Sequence, residues 1–190
     1  IIAYVVGRSD FTEYLQLHYV PGTGETFVIR PAHAMGDGIY KSTDAGKTWK
    51  NMGLKDSQHI SEIIVHPEDS NTVWVASQGP LWSAGGDRGV FKTTDGGENW
   101  TNVLSDGEWT GVTDVVMDPR DPKVLYAATW QRHRTVASYL GGGPGTAIHR
   151  STDGGESWEK VLYVTEKIGV IDLVLNPLDP DILYAATYDK

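Results

Sequence analysis

Residues 89–100 read GVFKTTDGGENW, and the same pattern returns at 38–49 as GIYKSTDAGKTW and at 147–158 as AIHRSTDGGESW. Each copy is a short run of β-formers followed by Ser or Thr, a fixed aspartate, a glycine and a closing tryptophan. A second word recurs between the copies. It is IIVHP at 63–67 with TVWVAS at 72–77, VVMDP at 115–119 with VLYAAT at 124–129, and LVLNP at 173–177 with ILYAAT at 182–187. From the aspartate to the following proline is 23 residues (44 to 67), then 24 (95 to 119) and 24 (153 to 177). From proline to the next aspartate it is 28 (67 to 95), then 34 (119 to 153), so length variation sits in one connection. A period of about 50 built from short β-rich runs is the sequence signature of propeller blades.

Four strands are predicted in each unit. The first spans 59–65, 111–117 and 169–175, and Pro67, Pro119 and Pro177 close it because proline cannot serve a central ladder. The second spans 72–77, 124–129 and 182–188, rich in β-branched and aromatic residues. The third spans 38–42, 89–93 and 146–151, and the fourth starts at Trp49, Trp100 and Trp158. The fold class is therefore all-β, with four-stranded antiparallel blades in an incomplete ring. One propeller unit covers 1–190: an atypical segment at 1–18, a partial blade at about 19–54, complete blades at about 59–104 and 111–163, and a partial blade at 168–190. Closing these strands on themselves would make a ring smaller than the smallest ordinary propeller, which has about four blades. The expectation is a piece of a larger propeller, completed by the remaining blades of a parent chain or by an oligomeric partner.

The repeat aspartates have a physical task in the turn between third and fourth strands. Asp44, Asp95 and Asp153 are placed to accept hydrogen bonds from backbone N–H groups of their own turns. Trp49, Trp100 and Trp158 are expected to fold back and lie largely buried beside them. The later carboxylates of a calcium-binding loop are missing, so these motifs are read as structural and imply no metal.

Ser42–Trp49 and Ser151–Trp158 meet the pattern S/T-x-D-x-G-x-T/S-W, and Thr93–Trp100 departs only at Asn99. The chain resembles the BNR/Asp-box β-propeller superfamily over about residues 20–188. In wording it is most similar to sortilin/VPS10-type propellers and to bacterial glycosyl-hydrolase-like proteins related to xyloglucan-cleaving propellers. The resemblance implies that the boxes are scaffold and that the protein is secreted or periplasmic. It also implies two functions: a ligand-binding propeller for an acidic glycan or peptide, or part of a glycoside hydrolase acting on polysaccharide. The arginine cluster and tyrosine nucleophile of a sialidase do not map onto this sequence.

Composition narrows the partners. Sixteen Lys and Arg against 25 Asp and Glu give a formal charge of −9, which opposes diffuse binding to nucleic acid or an anionic membrane surface. No stretch is long and apolar enough to insert in a membrane. There is no cysteine, hence no thiolate nucleophile or Cys-rich zinc site, and no motif implies a cofactor. Seven Trp and nine Tyr against three Phe favour half-exposed aromatic positions, whether repeat framework or a sugar- or peptide-binding surface.

In a propeller the loops joining second to third strands share one face, opposite the Asp boxes. These loops carry Arg30 and His33; Trp82, Asp87 and Arg88; and Trp130, Arg132, His133, Arg134 and Tyr139. Trp82, Arg88, Trp130, Arg132, His133 and Arg134 are the candidate ligand-binding residues, expected within one concavity completed by Arg88. Arg stems packed on Trp faces would produce the same composition. Finally, Glu62, Asp114 and Asp172 share one repeat position on the innermost strand. They are the candidate catalytic acids, and polar channel lining or a cation site are the other readings.

Overall fold

The structure, a computed structural model, describes residues 16–19, 26–29 and 36–189. Among the described residues there is no helix, and all strand pairing is antiparallel. The first sheet runs β1 (Gln16–Tyr19), β2 (Thr26–Ile29), β3 (Tyr40–Ser42), β4 (Lys50–Asn51). The second runs β5 (Ile60–His66), β6 (Asp69–Ser77), β7 (Gly89–Thr93), β8 (Thr101–Leu104). In the third, β9 (Thr110–Met117) and β10 (Leu125–Gln131) are followed by a small hairpin, β11 (His133–Arg134) and β12 (Tyr139–Leu140). Then β13 (Ala147–Ser151) and β14 (Glu159–Leu162) complete the order β9-β10-β13-β14. β15 (Ile168–Leu175) and β16 (Leu183–Asp189) form a two-stranded fourth sheet. These are β-propeller blades, and the described strands do not close a ring.

The first sheet has four strands where the repeat words predicted only the end of a second strand plus the third and fourth. β1 lies partly within the segment set aside as atypical. The missed signal is a spacing: Pro21 precedes Thr26 by the same interval that separates Pro67 from Thr72. Residues 1–15, Arg30 and His33 lie outside the described residues.

The core lies between blades. Ile39, Met52 and Leu54 of the first pack on Ile63, Val73, Val75 and Phe91 of the second. Trp74, Val90 and Leu104 of the second pack on Val112, Val115 and Leu125 of the third. Ala128 and Ile148 of the third meet Val170 and Leu173 of the fourth. The second and third sheets thus bury both faces by having a neighbour on each side, whereas β16 of the fourth stays largely exposed.

Every inner strand beyond the first blade carries a one-residue bulge just before its acid. The register skips Ser61 on β5, Thr113 on β9 and Ile171 on β15. An extra residue in one strand re-aims its side chain. Ser61 Oγ donates to Ala76 O (3.3 Å) in its own blade and to Val112 O (2.9 Å) in the next. Thr113 Oγ1 repeats this with Ala128 O (3.2 Å) and Val170 O (2.7 Å). On the opposite side of the blades, Lys92 Nζ reaches Glu156 of the following blade at 2.5 Å, and Trp74 Nε1 donates to Gly154 O at 3.0 Å.

The Asp boxes are closed hydrogen-bonding units. Asp44 Oδ1 accepts from the Thr48 amide at 2.8 Å, and the Asn99 and Ser157 amides donate to Asp95 and Asp153 at 2.9 Å. The Thr48 hydroxyl and amide hold the Asp44 carboxyl down at about 2, and the Asn99 backbone and side chain do the same for Asp95. The Ser157 hydroxyl and amide lower Asp153 as well. The tryptophans are less buried than expected. Trp49 is 39 % exposed, and Trp100 and Trp158 are half-buried. The turns stand at the rim, so an indole that covers its own turn, as Trp49 Nε1 does by donating to Gly46 O (3.1 Å), keeps part of its surface in water.

One buried group breaks the repeat. His149 on β13 stands where β7 has Phe91 and β3 has Tyr40. It is only 5 % exposed and its Nδ1 has no hydrogen-bond partner. Burial, then the charge of Lys160, pushes the imidazole down to about 4. An unpaired buried polar atom costs about 1–3 kcal/mol. The variant His149→Phe is therefore expected to raise the urea midpoint by a margin equivalent to about 1 kcal/mol, with the gain growing as pH falls below 6.

Candidate functional site

The loop between β6 and β7 folds around Arg88. Its guanidinium donates to the carbonyls of Gly85 (2.8 Å), Gln78 (2.7 Å), Ser83 (2.8 Å) and Pro80, and the residue is 4 % exposed. Burial, with Arg132 nearby, pushes it down to about 10. Arg88 was expected to complete an open concavity. Instead, carbonyls that the loop gathers take four of its five N–H donors, and it acts as the loop's internal brace.

Trp130 is likewise structural. It is buried, its Nε1 donates to Gly141 O at 2.8 Å, and its ring lies 5.7 Å from Tyr188 of the fourth blade. A side chain on Gly169 would collide with that ring, so Trp130 seals the joint between the third and fourth blades. Arg132 lies over Trp130, 4.8 Å from the ring centroid, and donates to the Gln78 side chain. Burial lowers its pKa, and its remaining interaction is with Tyr139. His133 packs against Trp109 with ring centroids 3.8 Å apart and the rings tilted by 32°. Trp109 lies in the connection between β8 and β9, outside both repeat words, and no sequence signal singled it out.

What remains open is a shelf. Trp82 is 60 % exposed. The exposed Arg134 lies with its guanidinium 5.6 Å from the Trp82 ring and 5.9 Å from the Tyr139 ring. The hairpin that carries Arg134 is tied to the neighbouring loop by its backbone N–H, which donates to Leu81 O at 3.1 Å. Two blades therefore build the shelf together. Among the described residues no acceptor takes a hydrogen bond from the Arg134 guanidinium.

The three repeat acids converge on one groove of about 550 Å³, lined further by Ile64, Val116 and Leu173. Asp114 is 9 % exposed and its Oδ2 accepts from the Leu173 amide of the fourth blade at 2.7 Å. Burial pushes Asp114 up to about 7 against that hydrogen bond, and a bond to Asp172 and the charge of Glu62 push the same way. Asp114 therefore keeps its proton far above the usual carboxylate range, and the exposed Asp172 is its hydrogen-bond partner across the joint. Among the described residues no group of three or more acids or histidines is placed to hold a metal ion.

The family model Sortilin-Vps10 (sortilin, neurotensin receptor 3) matches residues 37–142, and the BNR/Asp-box repeat matches residues 149–160. Xyloglucanase Xgh74A of Acetivibrio thermocellus is 28 % identical over 131 residues, covering 66 % of this chain and 14 % of that protein. The phospho-N-acetylmuramoyl-pentapeptide-transferase of Dinoroseobacter shibae is 62 % identical over 39 residues, 20 % of this chain and 10 % of that one. The chain thus spans 10 % to 14 % of the length of these relatives. The crystal structure of the GH74 xyloglucanase from Xanthomonas campestris superposes with a TM-score of 0.67 at 13 % identity, over 92 % of this chain and 26 % of that one. At that identity the likeness is one of fold.

Proposed function

The chain belongs to the Sortilin-Vps10 family, and from that premise we propose that its loop face binds an acidic glycan or peptide on the Trp82–Arg134 shelf. The supporting observation is the exposed Arg134 guanidinium stacked between Trp82 and Tyr139. A guanidinium held over aromatic faces keeps its planar donor edge aimed at solvent, which suits a carboxylate. The indole beside it supplies an apolar platform for a sugar ring or a peptide side chain. An exported setting, secreted or periplasmic, belongs to the same proposal.

Calorimetry of the full chain against neutral and acidic oligosaccharides and peptides tests it. Arg134→Gln is expected to weaken acidic ligands roughly ten-fold, since a hydrogen bond to a charged group contributes about 1.5–3 kcal/mol. Trp82→Ala weakens acidic and neutral ligands alike, and neither change moves the melting temperature. Unchanged affinity of Arg134→Gln for every acidic ligand would sink the shelf.

A second reading, hydrolysis of a glycosidic bond in the acid groove, is favoured by the proton that Asp114 keeps near neutral pH and by the likeness to xyloglucanases. Asp114, held in place by its hydrogen bond to Asp172, would protonate the leaving oxygen, and the water that adds to the sugar carbon would return a proton to Asp114. Turnover of xyloglucan that disappears in Asp172→Asn but survives in Arg134→Gln would favour this reading over the first.

A further inference from the structure

The Asp-box face carries a recess that neither reading uses. The turns of the first two blades stand side by side and leave a notch of about 290 Å³ between them. One wall is Trp49, whose Nε1 is already satisfied by Gly46 O, so the ring is fixed while much of it stays uncovered. The corresponding Trp100 instead donates to Met52 O of the preceding blade at 2.7 Å and is half-buried.

The polar walls are balanced. Lys50 Nζ pairs with Glu98 across the blade boundary at 2.8 Å. The Asp95 carboxylate is consumed by Asn99 and Thr93 inside its own turn. Lys41 Nζ rests on Gly96 O at 3.4 Å. Two cations and two carboxylates line the space, so a charged ligand gains no net attraction there. What the notch offers is an aromatic plane, the Thr43 hydroxyl and the further N–H donors of Lys50. A pyranose ring has the complementary form, with an apolar C–H face and a rim of hydroxyl oxygens. The volume lies at the small end of ligand pockets.

We propose that this notch binds a terminal residue of a neutral oligosaccharide, stacked on Trp49 and held at its rim by Lys50, on the face opposite the Trp82–Arg134 shelf. The site is independent of the function proposed above. Indole Nε1–H signals of the seven tryptophans in two-dimensional proton–nitrogen spectra of the full chain report it directly. On titration with cellotriose, the signal that vanishes in Trp49→Phe is expected to show the largest shift, and to do so equally in Trp82→Ala. Trp49→Ala weakens binding roughly ten-fold. Lys50→Ala, which leaves the turn intact, weakens it several-fold and keeps the test valid should Trp49→Ala fail to fold. A titration that moves only signals lost in Trp82→Ala, no shift at Trp49, or tighter binding of tri-galacturonate than of cellotriose at Trp49 would each overturn the proposal.

Discussion

Replacing Gly89 with alanine is expected to cost about 3 kcal/mol or more and to lower the melting temperature by roughly 6–12 °C. Gly89 opens β7 at φ +119°, a conformation open to glycine and strained for an L side chain. A Cβ there would overlap the carbonyl oxygen of Leu104 on the neighbouring strand. That carbonyl belongs to the ladder and cannot retreat without opening the pair. Gly85→Ala is the control. Its φ is +73°, but a Cβ would meet nothing, so it should cost only the strain, about 1 kcal/mol. Thermal melts followed by circular dichroism distinguish the two. The third blade has Ala147 at the equivalent place, in β13 and outside the positive-φ set. A Gly89→Ala protein melting near wild type would mean that the second blade can re-enter its strand in the same way.

The second large effect is tied to pH. Asp114 has a folded pKa pushed up to about 7, above that of an unfolded aspartate. Its contribution to stability is therefore fully present below about pH 4 and is lost as pH rises through about 7. The linked change is on the order of 2–4 kcal/mol. Asp114→Asn keeps an acceptor for the Leu173 amide and a donor for Asp172 while removing the proton. Its stability should vary much less between pH 4 and 8 and should exceed that of wild type at pH 8. His149 acts with the opposite sign, since its lowered pKa removes stability as pH falls below about 6.5. Comparing the Asn variant with its parent in a His149→Phe background isolates the acid. Parallel urea-midpoint curves for the two proteins across that range would show that Asp114 is ionised throughout. Hydrogen exchange should place the difference in β15, whose Leu173 amide it protects.

Which features could be read from residues follows from the range of the interactions behind them. The Asp-box bonds span at most four positions, so the partners of Asp44, Asp95 and Asp153 can be read from their own turns. Strand register alone brought Glu62, Asp114 and Asp172 to one wall, because equal positions on equivalent strands are neighbours. Arg88 and Trp130 are different. Their partners are carbonyls that face them only after a loop has folded, and a loop's path is not written in its composition. The bulges left a trace that is easy to pass over: Ser61 and Thr113 each precede the acid, in strands otherwise rich in β-branched residues.

Those bulges have a consequence for how such a molecule can change over generations. Each hydroxyl is donated forward, Ser61 to Val112 O and Thr113 to Val170 O, and Lys92 likewise reaches forward to Glu156. Other bonds return the other way, Trp100 Nε1 to Met52 O and the Leu173 amide to Asp114, so each joint is a head-to-tail contact between unlike sides of two blades. A gene segment encoding one whole blade brings both halves of that plug and socket with it. Duplicating or deleting a segment of the Ser61 or Thr113 kind leaves the hydroxyl contact at the new joint already matched, because Val112 O and Val170 O accept in the same way. Copy number can therefore drift by slips in replication, with no need for a new interface to evolve each time.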